Sequence, residues 1–377
     1  MEKFEKLLDY GQSYWLDNLS REIITNGKLE ERIEKEGLRG ITSNPKIFKK
    51  AISGGHLYDD QIKALSAKGK KPEEIYEALA IDDIQKACDL MRPVFEASNG
   101  KDGYVSLEVS PYLARDTEKT KSEARRLFKA VDRPNCLIKI PGTKEGIPAI
   151  EEMLYEGINI NITLLFSVES YEAVAEAYLK ALERRVDEGR PVDKIASVAS
   201  IFLSRIDVLT DKILLDKIIP RQTGEKKIIA GNILGDTAIS TAKIAYQSFL
   251  ETFSGTRWEK LAAKGAHVQR PLWASTSNKT EGYSDTRYVE PLIGPSTVNT
   301  MPDKTIEAFA HHGKLLPNTI TEDVKKAYRV YRDLEIIELS LEEITGRLVE
   351  EGIDKFVEPY DELLKTIERK QNKFAPK

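Results

Sequence analysis

Eight short β-rich runs alternate with longer amphipathic stretches between about residue 11 and residue 315, and this alternation limits the possible folds most strongly. The runs span residues 14–17, 40–43, 104–109, 137–140, 158–163, 195–199, 271–274 and 297–299. Between them, apolar residues recur at steps of three and four, as they do on one face of a helix. Strands that alternate with helices form a parallel sheet, and eight strands are the number that closes a barrel.

An open, doubly wound sheet is the competing architecture. No GxGxxG or GxxxxGK[ST] loop follows any of the runs, which argues against a nucleotide-binding version of that sheet. The segment from about 321 to 370 lies beyond the eighth run and is helical in pattern, so we expect it to pack on the barrel. We therefore predict an α/β fold: one (β/α)8 TIM barrel domain over residues 1–377, with extra helices in its N-terminal half and at its C-terminus.

The composition argues against several classes of protein. The chain carries 57 basic and 61 acidic side chains with interspersed signs, so no long basic face indicates nucleic acid. No apolar run approaches the roughly 18 residues of a membrane span, and the charged N-terminus lacks a signal-peptide core. Cys88 and Cys136 form no metal motif or disulfide framework, and the four histidines lack metal-ligand spacing. We expect a cytoplasmic protein that needs no metal or organic cofactor, as a monomer or homodimer.

Charged residues inside the runs are the informative exceptions, because strands of a parallel barrel are covered on both faces. Lys139 has apolar neighbours on both sides, and a neutral buried amine suits Schiff-base chemistry with a carbonyl. A strand-end lysine that reaches solvent or pairs with a carboxylate is an equally good explanation of this run alone. Glu108 and Asp17 lie on two other runs. The three groups together would supply a nucleophile and a proton shuttle, whereas a structural salt bridge would explain only one carboxylate.

Amides and hydroxyls also occur near the ends of the runs. Asn161 and Thr163 share one side of their run and could bind sugar hydroxyls or hold a catalytic water. Asn44 could do the same, although it precedes Pro45 and turn or cap chemistry is a fair alternative there.

Later runs are followed by groups that suit a phosphate. Ser200 and Arg205 surround the start of a helix, and an arginine there combines charge, fork geometry and a helix N-terminus. Taken alone, Arg205 is better explained as an exposed partner of Asp207. Ser275 and Lys279 follow the seventh run, where barrels of this kind often bind phosphate.

Several segments resemble the signatures of the transaldolase family. They are GITSNP (40–45), LIKI (137–140), GININITLLFS (157–167) and SIFLSRID (200–207). WASTSNK (273–279) and TVNTMP (297–302) are similar to the longer bacterial branch of that family. The matches occur in the right order from about residue 14 to 315.

The resemblance implies a barrel that transfers a dihydroxyacetone unit in the non-oxidative pentose phosphate pathway. The donor would be fructose 6-phosphate or sedoheptulose 7-phosphate, and the acceptor erythrose 4-phosphate or glyceraldehyde 3-phosphate. By position, Lys139 would be the Schiff-base lysine, and Glu108 the general acid/base that acts through a water held by Thr163. Asp17 would handle the proton of the hydroxyl at the cleaved carbon–carbon bond.

The same resemblance implies the binding groups. Asn44 and Asn161 would bind the dihydroxyacetone portion with Ser200 beside them, and Arg205 would hold the phosphate. Shorter relatives have Ser-x-Arg after the seventh strand, but here Ser275 is followed by Thr276 and Ser277. We predict that Ser275 still binds phosphate; whether Lys279 replaces the arginine stays open.

Two other functions are alternatives to transfer of a dihydroxyacetone unit. Fructose 6-phosphate aldolases of the same superfamily release free dihydroxyacetone, and they position the catalytic water with a tyrosine and a glutamine. Phe202 and Glu108 occupy those places here, which favours transfer. A non-catalytic barrel that binds sugar phosphates is the second rival, and the intact set of Lys139, Glu108 and Asp17 argues against it.

Overall fold

A closed barrel of eight parallel strands, in chain order, forms the centre of the computed structural model, which describes residues 2–374. The strands are β1 Gln12–Leu16, β2 Gly40–Ile41, β3 Tyr104–Glu108, β4 Cys136–Pro141, β5 Ile160–Leu165, β6 Ser197–Phe202, β7 Arg270–Ala274 and β8 Thr297–Met301. The pairing of β1 with β8 closes the barrel. Each predicted run overlaps one strand, so the (β/α)8 prediction is confirmed.

Sixteen α-helices surround the strands within residues 2–374. The first six are α1 Glu2–Asp9, α2 Arg21–Thr25, α3 Lys28–Lys35, α4 Pro45–Ser53, α5 Asp59–Ser66 and α6 Pro72–Ala97. The next six are α7 Thr117–Val131, α8 Gly146–Glu156, α9 Val168–Asp187, α10 Leu203–Ile213, α11 Gly224–Asn232 and α12 Thr237–Thr252. The last four are α13 Gly255–Ala262, α14 Asp303–His312, α15 Val324–Ile336 and α16 Leu341–Phe374. Helices α4 to α6 all lie between β2 and β3, and they include the extra helices predicted for the N-terminal half.

Two strands begin later than their apolar runs suggest. β5 and β6 start at Ile160 and Ser197, two residues after the predicted runs. The Asn159 side chain accepts a hydrogen bond from the Ala196 backbone nitrogen (2.8 Å). A side chain thus replaces a backbone partner at the entrance to these strands, and the regular ladder begins beyond it.

The N-terminal end of the barrel is closed by a buried ion pair. Arg270 of β7 donates to Asp102 (2.9 Å) and to the Thr297 carbonyl oxygen (2.7 Å). Asp102 also accepts hydrogen bonds from Ser13 (2.7 Å) and from the Trp15 indole (3.3 Å). Because every one of these groups is near the strand entrances, the network belongs to the stability face of the barrel rather than to its catalytic mouth.

The last helix, α16, crosses the C-terminal mouth of the barrel. At Gly352, a β-carbon would lie 2.9 Å from the Leu164 side chain, so glycine permits the close approach to β5. Leu164 itself has a left-handed backbone (φ +61°) at an irregularity in the β5–β6 pairing. Glu362 of α16 forms an ion pair with Lys49 of α4, and Glu350 of α16 forms one with Arg115 in the loop after β3. Within residues 2–374, no helix combines the length and apolar character needed to span a membrane.

Candidate active site

Lys139 and Glu108 lie opposite each other on neighbouring strands β4 and β3. Both are buried, with exposed fractions of 4% and 8%. The Lys139 amine lies 3.5 Å from Glu108 Oε2 and donates to the Ser43 carbonyl oxygen at 3.3 Å. The lysine therefore does pair with a carboxylate, and that carboxylate is the residue predicted to act as general acid/base.

The carboxyl group of Glu108 is poised to exchange protons near neutral pH. Burial raises its pKa to about 7, and this outweighs the opposing charge of Lys139. Glu108 Oε1 and Thr163 Oγ1 are both buried, and neither has a hydrogen-bond partner. Buried polar atoms of this kind usually bind ordered water. Each of the two atoms therefore has a free position for a bound water molecule.

Asp17 directly follows β1 and is close enough to Lys139 for the two charges to interact. It accepts a hydrogen bond from Thr42 Oγ1 (2.9 Å), which also shares a hydrogen bond with Thr300 (2.7 Å). Burial raises the pKa of the Asp17 carboxyl, while the charge of Lys139 and the Thr42 hydrogen bond lower it. Asp17 is therefore held in place and can accept a proton.

Asn161 joins three strands through its side-chain amide. It donates to Ser106 Oγ (2.9 Å) and accepts from Ser200 Oγ (2.7 Å). It pairs in register with Lys139 and is fully buried, so it fixes the hydroxyl of Ser200 beside the amine. The amide is already engaged within the barrel, which makes positioning of Ser200 its most direct effect.

A cavity of about 600 Å³ opens at the C-terminal ends of the strands, and most of the predicted site residues line it. These are Asp17, Asn44, Lys139, Ser200, Phe202, Arg205, Ser275 and Lys279. The other three, Glu108, Asn161 and Thr163, are buried and do not line this cavity. Asn44 also caps α4 by accepting from the Ile47 nitrogen (3.1 Å), so the cap interpretation and the lining position both hold.

Arg205 is oriented by stacking rather than by an acidic partner. Its guanidinium lies 5.4 Å from the centre of the Phe202 ring, and its Nη1 atom is buried without a hydrogen-bond partner. Asp207 is engaged elsewhere, by the Ala238 nitrogen (2.7 Å) and the Tyr288 hydroxyl (2.8 Å). The Arg205–Asp207 pair, which the sequence alone favoured, is therefore wrong.

Lys279 reaches from the loop after β7 towards the same place. Its amine donates to Ser275 Oγ at 3.0 Å, and Ser275 has a left-handed backbone (φ +55°). Desolvation in the cavity and the charges of Arg205 and Lys46 lower the pKa of Lys279 to about 8. Although the Lys279 side chain as a whole is exposed, repulsion among cations raises the free energy of its ammonium form. A bound phosphate would relieve that repulsion.

Two residues that line the cavity, Phe356 and Lys46, were not predicted from the sequence. Phe356 of α16 lines the cavity, and its ring centre lies 5.4 Å from the Lys139 amine. More than two hundred positions separate it from Lys139, and an amphipathic helix does not specify which strand it covers. Lys46 lines the cavity from the first turn of α4. It directly follows Asn44 and Pro45, so its place next to a predicted ligand was a usable signal.

The assembled site can carry out covalent chemistry on a small anionic carbonyl compound. A buried amine pairs with the Glu108 carboxyl group and shares a cavity with a second one, Asp17, and both carboxyl groups can move protons. Arg205 and Lys279 add positive charge to the cavity that Lys139 lines, where they can hold the anionic part of the same ligand. Phe356 covers the amine and limits access of water.

Comparisons with known proteins agree with this geometry. A family model described as "Transaldolase/Fructose-6-phosphate aldolase" matches residues 14–367, which includes most of α16. The chain is 48% identical to transaldolase 2 of Nostoc punctiforme over 376 residues, 98% of each chain. It is 48% identical to the transaldolase of Trichodesmium erythraeum over 370 residues, 97% of each chain. It is 45% identical to the transaldolase of Mycolicibacterium paratuberculosis over 360 residues, 95% of this chain and 94% of that relative.

Proposed function

Because the chain belongs to the transaldolase/fructose-6-phosphate aldolase family and is a transaldolase, we propose that it transfers a dihydroxyacetone unit from a donor ketose through a Schiff base on Lys139. The observation that carries this proposal is the buried Lys139–Glu108 pair, 3.5 Å apart, with Lys139 lining a cavity that Arg205 and Lys279 also line. The donor is fructose 6-phosphate or sedoheptulose 7-phosphate. The acceptor is glyceraldehyde 3-phosphate or erythrose 4-phosphate.

In the first step, phosphate and carbonyl bind at opposite parts of the cavity. Arg205 offers an unpaired buried nitrogen, and Lys279 and Ser275 add an ammonium and a hydroxyl. An anion held by these groups places the rest of a six- or seven-carbon ketose towards Lys139. The carbonyl then meets an amine that is fixed by the Ser43 backbone.

The second step forms the imine. The neutral amine of Lys139 adds to the carbonyl carbon, and the resulting hydroxyl leaves as water after it gains a proton. Glu108 supplies that proton, through the water that Oε1 and Thr163 Oγ1 are placed to hold. A carboxyl group with a pKa of about 7 gives up a proton and takes it back with similar ease at neutral pH.

The third step cleaves the carbon–carbon bond. Asp17 removes the proton of the hydroxyl next to that bond, the bond electrons move into the protonated imine, and the aldose leaves. The three-carbon unit remains on Lys139 as an enamine, which adds to a second aldose by the reverse of these steps. Hydrolysis then releases the new ketose and restores the free amine.

The alternative outcome, release of free dihydroxyacetone, requires water to reach the enamine. Phe202 packs against Phe356 (ring centres 6.4 Å apart), and Phe356 covers Lys139. This apolar cover favours transfer to an aldose over hydrolysis. The transaldolase names of the relatives favour the same outcome.

Trapping with borohydride tests the mechanism directly. Incubation with fructose 6-phosphate, reduction and peptide mapping should find a three-carbon adduct on Lys139. Lys243 provides a control within the same digest, since it is also buried and burial lowers its pKa, but it lies outside the cavity. Lys139→Ala should abolish both adduct and transfer while circular dichroism stays unchanged. An adduct on another lysine, or transfer by Lys139→Ala, would contradict the proposal.

We also propose a cytoplasmic role in the non-oxidative pentose phosphate pathway, by a monomer or homodimer. The two free, buried cysteines and the balanced charge support a reducing compartment. Cell fractionation and light scattering of the purified protein test these two points.

A further inference from the structure

Glu108 and Lys139 open onto different cavities, although they are neighbours. Lys139 lines the substrate cavity, whereas Glu108 lines a second cavity of about 590 Å³ behind it. The second cavity lies between α6, α7 and the end of β3, and Tyr360 of α16 covers one side. Among residues 2–374, none that lines the second cavity also lines the first. The Lys139–Glu108 pair therefore separates two spaces.

The second cavity has polar groups from its outer to its inner end. Exposed residues, Glu74 and Arg126, stand at its outer end, and Ser110 and Glu108 stand at its inner end. Between them, Glu123 accepts a hydrogen bond from the Ser110 nitrogen (2.7 Å). Polar groups thus occur at both ends of the second cavity and between them, and water that enters it can bind to them.

The chemistry of the site needs such a connection. Each imine that forms on Lys139 releases one water, and each imine that is hydrolysed consumes one. With a ketose phosphate in the substrate cavity, a water molecule could leave by that side only past the substrate and under Phe356. On the other side stands Glu108, which lines the second cavity. Its Oε1 atom is buried and has no hydrogen-bond partner.

We propose that the second cavity is the route by which water and protons reach and leave Glu108 while the substrate cavity is occupied. This inference rests on the proposed Schiff-base function. Protonated Glu108 gives its proton to the departing hydroxyl, the water leaves past Ser110 and Glu123, and the carboxylate is left ionised. In hydrolysis, water enters by the same route, Glu108 takes one of its protons, and the oxygen becomes the carbonyl oxygen of the product.

An isotope experiment measures the route. Fructose 6-phosphate labelled with ¹⁸O at its carbonyl is converted in ordinary water with an aldose acceptor, and the label in the product ketose is read by mass spectrometry. If released water escapes through the second cavity, the native enzyme gives product with little label. Ala78→Phe places a ring in this cavity from α6, so the released water is retained and returns. We expect label retention to rise severalfold and kcat to fall.

Two further variants make the result decisive. Ala308→Phe on α14 is the matched control, because Ala308 is also half-buried but lines neither cavity, and it should retain as little label as the native enzyme. Leu65→Ala widens the second cavity and should not raise retention. Native-like circular dichroism of all three variants is required.

The outcomes separate this inference from the function on which it rests. If the native enzyme forms no borohydride adduct on Lys139, the proposed function fails. If the adduct forms and folded Ala78→Phe retains no more label than Ala308→Phe, water passes by the substrate side and the proposed route is wrong.

Discussion

Replacement of Lys279 by arginine should remove one limb of the pH profile of this enzyme. Desolvation, together with the nearby charges of Arg205 and Lys46, lowers the pKa of Lys279 to about 8. The ammonium form is therefore complete below that pH and is lost as the pH rises through it. A phosphate dianion binds the ammonium form more strongly, so kcat/KM should fall above about pH 8.

The size of the effect follows from the contacts. Since kcat/KM reports the ionisation of the free enzyme, a single essential ammonium gives a fall that approaches about tenfold per pH unit. Loss of one charge-assisted hydrogen bond is worth about 1.5–3 kcal/mol, so Lys279→Ala should lower kcat/KM roughly ten- to hundredfold at pH 7. The change should appear mainly in KM, because Lys279 donates to Ser275 in the loop after β7 and is proposed to bind the phosphate rather than the reacting carbons.

Steady-state kinetics between pH 6.5 and 9.5 would measure both variants against the native enzyme. Arginine stays charged over this range, so the part of the fall centred near pH 8 should be absent in Lys279→Arg, while any limb from the Glu108 carboxyl near pH 7 remains. A donor without phosphate is the matched control and should show no such limb with either protein. If Lys279→Arg shows the same fall near pH 8 as the native enzyme, another group causes it and the phosphate role of Lys279 is wrong.

Three further substitutions test separate parts of the structure. Phe356→Ala removes the ring whose centre lies 5.4 Å from the Lys139 amine, so the ratio of free dihydroxyacetone to product ketose should rise. Product analysis without and with an acceptor measures this ratio, and an unchanged ratio would contradict the covering role of Phe356. Gly40→Ala places a methyl group 2.3 Å from the ring of Trp15, so the free energy of unfolding should fall by about 1–3 kcal/mol or more. Urea unfolding measures this change, and native-like stability would mean that the indole can move aside. Arg270→Ala removes the charged partner of buried Asp102, so the free energy of unfolding should fall by about 3–5 kcal/mol while kcat of the folded fraction stays unchanged. A selective loss of kcat would instead connect this end of the barrel to catalysis.

The residues that sequence reasoning found share one property: they are polar groups in or directly after runs that should be apolar. Lys139, Glu108 and Thr163 all stood out in this way, and the barrel brings them together because parallel strands present their carboxyl ends at one mouth. Side chains alternate between the two faces of a strand every two residues, so these positions can be identified from a few neighbouring residues in the sequence.

What could not be predicted depends on contacts between distant parts of the chain. Phe356 sits on a helix whose pattern shows an apolar face but not the surface that it covers. The engagement of Asp207 by Tyr288 required knowledge of the loop after β7, and without it the nearer residue, Arg205, was the natural partner. The second cavity behind Glu108 arises from the packing of three helices, and no single segment carries a signal for it.

The path of α16 across the mouth also affects how the protein is made. Its contacts join residues far apart in the chain: Lys49 with Glu362, 313 positions apart, and Lys70 with Gln371, 301 apart. Contacts at such separation form late and slow folding. On the ribosome, Lys139 emerges long before Phe356 is synthesised, so a nascent barrel would hold its amine uncovered and the apolar sides of α4 and α6 without their partner. Cells must therefore protect this intermediate from aggregation during the last part of synthesis.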